Sequence, residues 1–197
     1  LNPSTEEVIS LMPDGTVEDA RKAIDAAEKA QNQWERTPSI ERAAYLTKIA
    51  AGIRKREKEL TDIIVREGGK TQGLANVEVL FTADYMDYMA GWARRYEGEI
   101  IPSDRPHENI FLFKRPIGVT TGILPWNFPF FLVARKSAPA LITGNTIVIK
   151  PSQLTPENAY VFAQIVEEAG LPAGVFNLVN GRGSVIGHEL SANPKVG

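Results

Sequence analysis

Three short, β-branched and nearly uncharged runs, each followed by a helical stretch, constrain this chain more than any other feature. The runs are Gly118-Val119-Thr120-Thr121-Gly122-Ile123-Leu124, Thr146-Ile147-Val148-Ile149 and Val175-Phe176-Asn177-Leu178-Val179. Helical periodicity fills about 129–141 and 156–169 and resumes from about 184, with Gly144-Asn145 and Gly170 as stops. Alternation of this kind, with crossovers of this length, predicts a parallel, right-handed, doubly wound sheet covered on both faces. In such sheets the working groups lie outside the carboxyl ends of the strands.

The first strand ends in an unusual corner, Leu124-Pro125-Trp126-Asn127-Phe128-Pro129. Pro125 cannot donate to a ladder, so the strand stops there. Pro129 suits a first helical turn, where its missing N–H costs nothing, and the Asn127 side chain before it is of the kind that caps helices.

The first half is helical. Thr16-Val17-Glu18-Asp19 carries capping residues, and Ala20, Ile24, Ala27, Gln31 and Trp34 share one face of a helix over about 16–35. A second helix is predicted from Ser39 to a Gly68-Gly69 stop, with Ala43, Leu46, Ile49, Ile53, Leu60, Ile63 and Ile64 inward. Its run Arg54-Lys55-Arg56-Glu57-Lys58-Glu59 alternates in sign, which marks a solvated face and not a nucleic-acid patch. A third helix, about 71–96, carries the stripe Val77, Leu80, Phe81, Tyr85, Tyr88, Met89 and Trp92, read as core or subunit packing. Gly69-Lys70-Thr71 imitates the end of a phosphate-binding loop, but the preceding glycine that motif needs is Ile64 on a helix. Between 98 and 116, Ile100-Ile101, a polar turn and Ile110-Phe111-Leu112-Phe113 read as a long hairpin, covered either by a partner subunit or by its own domain.

Composition narrows the function. Of the 197 residues 43% are hydrophobic, enough for a sizeable core, and the net charge of −2 offers no field for nucleic acid or an anionic membrane. No cysteine is present, so this chain holds no disulfide, no cysteine-ligated metal and no thiol nucleophile, and no metal site is expected. No apolar run approaches the roughly 18 residues of a membrane helix, and the amino terminus lacks a signal-peptide pattern; a cytoplasmic protein is expected. The absent initiator Met and the ending at Lys195-Val196-Gly197, where a further strand should begin, suggest a piece of a longer chain.

At the carboxyl end of the second strand, Lys150-Pro151-Ser152-Gln153 would aim a cation and two hydrogen-bonding side chains at the crevice. After the third, Gly181-Arg182-Gly183-Ser184-Val185-Ile186-Gly187 opens a helix with G-x-G-x-x-x-G spacing, either a dinucleotide turn or close helix packing. Together with Pro125-Trp126-Asn127-Phe128-Pro129, Gly144-Asn145-Thr146 and Gly170-Leu171-Pro172-Ala173-Gly174, these motifs resemble the NAD(P)-dependent aldehyde dehydrogenase superfamily along essentially the whole chain.

That resemblance implies a fold of amino-terminal helices, a Rossmann-like parallel sheet that is incomplete here, and a protruding β-hairpin. Residues 1–98 and 117–197 would form the cofactor-binding domain and 99–116 an oligomerisation hairpin, giving a homo-oligomer (dimer or tetramer), with the catalytic domain outside this chain. It implies attack of a cysteine thiolate on a small aldehyde, hydride transfer to NAD or NADP, and hydrolysis with a glutamate base; thiol and base would lie beyond residue 197. Asn127 matches the amide donor to the oxyanion. Ile123, Leu124, Pro125 and Trp126 match the cofactor-contacting strand end, and Lys150, with Ser152 and Gln153 beside it, the adenosine ribose site. Gly183 and Gly187 match the glycines beneath the adenine, and His188 either touches the adenine or is solvated. Where the family commonly has Glu, Gln153 keeps hydrogen bonds to the ribose and loses the repulsion of a 2′-phosphate, so NADP is expected beside NAD.

Phe128, Leu132 and Arg135 share a helix face that the resemblance assigns to the aldehyde tunnel. Arg135 either favours a short hydroxylated aldehyde or pairs with a carboxylate away from substrate. The rival to an enzyme is a dinucleotide-binding or structural module of the same fold without chemistry.

Overall fold

The computed structural model describes residues 1–197. Helix α1 (Val17–Arg36) begins with a closed capping box: the Asp19 amide donates to Thr16 Oγ1, and the Thr16 amide donates back to Asp19 Oδ2 at 2.9 Å. Its buried face holds Ala20, Ile24, Ala27 and Trp34. Gln31, on the same face, is tied across to the sheet, accepting from the Thr146 amide at 2.9 Å and donating to the Gly144 carbonyl at 3.0 Å.

The helix expected from Ser39 to Gly68 is two helices, α2 (Ser39–Lys55) and α3 (Glu57–Gly68), broken at Arg56. No glycine or proline marks the break. Arg56 is instead drawn toward the later helix α6 (Glu157–Glu168), donating to Gln164 Oε1 at 2.9 Å and pairing with Glu168 at 3.5 Å. The bend lets Leu60, Ile63 and Ile64 join the core beside Leu46, Ile49 and Ile53. Gly69 closes α3 in the left-handed conformation, φ +66°, as its sequence position implied.

Helix α4 (Gln72–Ala90) stops short of 96 and passes into a 3₁₀ turn, Gly91–Arg94. The aromatic stripe does not build the core. Ala75, Val79, Ala83 and Met86 face inward, leaving Val77, Phe81, Tyr88 and Trp92 exposed. Packed between α2 and helix α5 (Pro129–Ile142), α4 admits mostly small side chains on its inner face, so the large ones stand outside.

Strands β1 (Glu99–Pro102) and β2 (Asn109–Leu112) form the expected antiparallel hairpin, Glu99 opposite Leu112, and every residue of both strands is exposed. The main sheet is parallel, in the order β3 (Val119–Ile123), β4 (Thr146–Lys150), β5 (Phe176–Leu178). Central β4 is buried throughout. Ile147 and Ile149 point into the large core with α5 and α6, while Val148 points to the opposite face under α1 and α7 (Gly183–Ala192). After α7 the chain returns to the other edge of β3: Val196 bridges Val119 in parallel and the Gly197 amide donates to the Val119 carbonyl at 2.9 Å. The strand order therefore reverses beside β3. No helix is long and apolar enough to cross a membrane.

Candidate active site at the carboxyl edge of the sheet

Because the order reverses beside β3, the topological switch point lies outside the end of β3, where the Pro125–Pro129 corner sits. The ladder runs one residue past β3, with the Leu124 amide donating to the Lys150 carbonyl at 2.9 Å; Ile123, Trp126, Asn127 and Phe128 are then exposed at the edge. The Asn127 amide makes no hydrogen bond within the chain.

Asn127 is not the helix cap. The residue flanking α5 is Phe128, and neither side chain caps the helix. A glutamate from α4 does so instead: the amides of Phe130 and Phe131 donate to Glu78 Oε1 at 2.9 and 3.1 Å. Glu78 Oε2 accepts from the Lys70 ammonium, which also donates to the Asn127 carbonyl at 2.9 Å and lies 4.1 Å from the Phe128 ring centroid. A carboxylate outcompetes a neutral amide at the positive end of a helix, which frees Asn127 to face outward.

Beside the corner, a groove of about 530 Å³ runs between α4 and α5. Phe128, Leu132 and Arg135 line one wall and Leu74, Val77 and Phe81 the other. Phe81 and Phe131 close its floor with ring centroids 4.6 Å apart. Arg135 is exposed and pairs with no carboxylate of this chain; Tyr85 is near enough for its phenol to feel the guanidinium, although burial dominates and pushes that phenol up. Sequence reasoning missed six members of this site: Lys70, Leu74, Val77, Glu78, Phe81 and Phe131. The available signal was Glu78 itself, a carboxylate at the inward spacing of Ala75, Val79 and Met86, where burial demands a partner.

On the far side of the corner, Lys150 does not face solvent. It is 4% exposed, and its ammonium donates to the Pro151 carbonyl at 2.7 Å and the Gly181 carbonyl at 3.1 Å, with burial pulling its pKa down. Ser152 turns its hydroxyl toward the Leu154 amide at 3.2 Å. Gln153 opens onto a small surface cavity shared with Asn180, Gly181, Arg182 and Asp14, where Arg182 pairs with Asp14 at 3.2 Å. Helix α7 starts with no side-chain cap, and a Cβ built on Gly183 or Gly187 would meet nothing within 4 Å. Packing inside the chain thus does not require Gly183 or Gly187, whereas Gly181, at φ +149°, sits where a Cβ would fall 2.9 Å from the Gly15 carbonyl oxygen, as a glycine turn with close packing expects. His188, further along, is exposed.

The parallel sheet with its switch-point crevice makes this an α/β protein of the doubly wound class, and the chain belongs to the aldehyde dehydrogenase family, whose pattern matches residues 1–197. It is 72% identical over 196 residues to lactaldehyde dehydrogenase of Escherichia coli, covering 100% of this chain and 41% of that protein. A solved structure of lactaldehyde dehydrogenase superposes with a TM-score of 0.98 over 100% of this chain and 41% of its own. D-glyceraldehyde dehydrogenase (NADP+) of Thermoplasma acidophilum is 42% identical, covering 99% of this chain and 40% of that protein. The glyceraldehyde-3-phosphate dehydrogenase of Methanocaldococcus jannaschii, solved with NADP, is 38% identical with a TM-score of 0.94, covering 100% of this chain and 43% of that one. The chain therefore spans about two fifths of the length of these relatives.

Proposed function

We propose that this chain supplies the cofactor-binding side and the oxyanion amide of an NAD(P)-dependent enzyme that oxidises short 2-hydroxy aldehydes, such as lactaldehyde or glycolaldehyde, to the acid. The observation that carries the reading is Asn127: an unpaired amide at the switch point, between an open glycine helix and an apolar groove containing an unpaired guanidinium. The crevice suits a dinucleotide, because the space over Gly183 and Gly187 is open and the ribose side offers Lys150, Ser152 and Gln153. When bound, NAD or NADP supplies the hydride acceptor. Ile123, Leu124, Pro125 and Trp126 would hold its nicotinamide side and Gly183, Gly187 and His188 its adenine side. Gln153 itself carries no charge to repel a 2′-phosphate, and Arg182, paired with Asp14, lines the same cavity, so the reading includes NADP.

Asn127 Nδ2 donates to the oxyanion that forms when a nucleophile adds to the aldehyde carbonyl; such a donor is worth about 3–4 kcal/mol of barrier. Phe128 and Leu132 exclude water, and Arg135 donates to the substrate hydroxyl. The thiol and the base come from residues outside this chain. In the domain reading, 1–98 and 117–197 bind cofactor, and the exposed apolar hairpin at 99–116 is covered by a partner copy in a homo-oligomer.

Steady-state kinetics of the full-length protein on a chain-length series of plain and hydroxylated aldehydes tests this. Asn127→Ala should lower kcat by about 10²–10³-fold with NAD affinity kept, and Arg135→Leu should narrow the preference for hydroxylated substrates. Undiminished turnover by Asn127→Ala would remove Asn127 as the oxyanion donor, and no aldehyde turnover by the parent protein would favour a non-catalytic dinucleotide module. Equal losses on plain and hydroxylated aldehydes would remove Arg135 from the substrate site.

A further inference from the structure

The corner that carries Asn127 has no local device to hold it. The Asn127 side chain makes no hydrogen bond, and Phe128 offers α5 no side-chain cap. A donor that stabilises a developing oxyanion must be placed to within a fraction of an ångström before reaction begins. The backbone around Asn127 must therefore be fixed from elsewhere.

We propose that Lys70 and Glu78 are positioning residues for Asn127, clamping the strand-to-helix corner from behind so that its amide projects into the crevice. This rests on the reading of Asn127 as the oxyanion donor. The clamp grips on both sides of the corner. Upstream, the Lys70 ammonium holds the Asn127 carbonyl at 2.9 Å and lies against the Phe128 ring. Downstream, Glu78 Oε1 takes the first free amides of α5, those of Phe130 and Phe131. The ion pair between Lys70 and Glu78 joins the two grips into one unit.

Burial makes the unit stiff. The Glu78 side chain is wholly buried, and an ionised carboxylate there is tolerated only while its oxygens are filled by donors. Two amides and an ammonium fill them, so any swing of the corner would strand a buried charge. Lys70 cannot follow the corner outward either, because its head is shared between Glu78 and the Asn127 carbonyl. Both groups border the groove, but their polar atoms are taken by the α5 amides, the Asn127 carbonyl and each other, so they act through Asn127.

The test is a double-mutant cycle in the full-length protein. Lys70→Met and Glu78→Gln are made singly and each again with Asn127→Ala, and kcat, KM for the aldehyde, the NAD dissociation constant and the unfolding midpoint are measured. Each single variant should lose kcat by about 10–100-fold, as misplacement by about an ångström does, with NAD affinity unchanged. In the Asn127→Ala background neither should cause further loss. Losses that multiply in both backgrounds, or a lowered unfolding midpoint with kcat intact, would overturn the proposal while leaving the Asn127 reading in place. Asn127→Ala with full turnover would instead overturn that reading and this inference with it. Lys70→Met, at a side chain 17% exposed, carries the test if Glu78→Gln fails to fold.

Discussion

The three crossover helices of the sheet begin in two different ways. Helices α5 and α6 are closed at their amino ends by buried glutamates lent by the amino-terminal helices, Glu78 from α4 and Glu67 from α3. Helix α7 has no such donor, no side-chain cap, and open space over two glycines. The helix dipole and free amides favour negative charge at all three. In two of them the protein supplies a carboxyl acceptor from its own chain and gains a rigid frame; at the third no such group is built in. The two glutamates differ as well. Glu78 has a lysine on it, whereas Glu67, 7% exposed, receives the Glu157 amide and Asn158 and has no cation in contact. Burial accordingly pushes Glu67 up to about 7, its hydrogen bonds only partly offsetting the desolvation.

The largest effect should come from emptying the α5 clamp. Glu78→Ala leaves two first-turn amides without a partner and the Lys70 ammonium with only the Asn127 carbonyl, and should cost about 3–5 kcal/mol in urea unfolding of the full-length protein. A loss below about 1 kcal/mol would mean water replaces the carboxylate and the closed-versus-open contrast is only geometric.

Glu67 gives a smaller, pH-dependent effect. Its pKa is raised from 4.5 in the unfolded chain to about 7 in the fold. The fold therefore holds a proton that the unfolded chain releases between these values. The resulting stability is complete below pH 4.5, declines as pH rises and is gone above about 7, up to about 3 kcal/mol in all. Glu67→Gln should flatten the stability curve across that window relative to the parent. Parallel curves for the two proteins would show that Glu67 titrates normally and that α6 is closed by an ordinary carboxylate.

The smallest effect concerns α7. Gly187→Ala adds a methyl where nothing lies within 4 Å and replaces a poor helix former, so it should stabilise by about 0.5–1 kcal/mol. Dinucleotide affinity, measured calorimetrically, should fall in the same variant. Stability gained with affinity intact would mean that the space over α7 is empty for no ligand.

Much of this was legible in the chain itself. Short β-branched, nearly uncharged runs and glycine stops located the three parallel strands within a residue or so, because a strand covered on both faces needs an uninterrupted apolar run. The hairpin, the Thr16 cap and the Gly69 stop were equally plain, since each depends on residues close in sequence. The break at Arg56 was not, because no glycine or proline marks it and two of the partners that hold Arg56 there, Gln164 and Glu168, lie on a distant helix. Nor was the outward turn of Val77 and Phe81, which follows from how closely α2 and α5 approach α4.

Sequence alone determined the fold class, the corner at the sheet edge, and Asn127 as its polar residue, all from local pattern and turn chemistry. Tertiary structure decided what that residue is free to do. By placing Glu78, 52 positions away, on the amides of α5, it relieved Asn127 of capping, and by returning residue 196 to β3 it put the corner at the switch point. Both are long-range pairings whose energy depends on distances that no local stretch encodes.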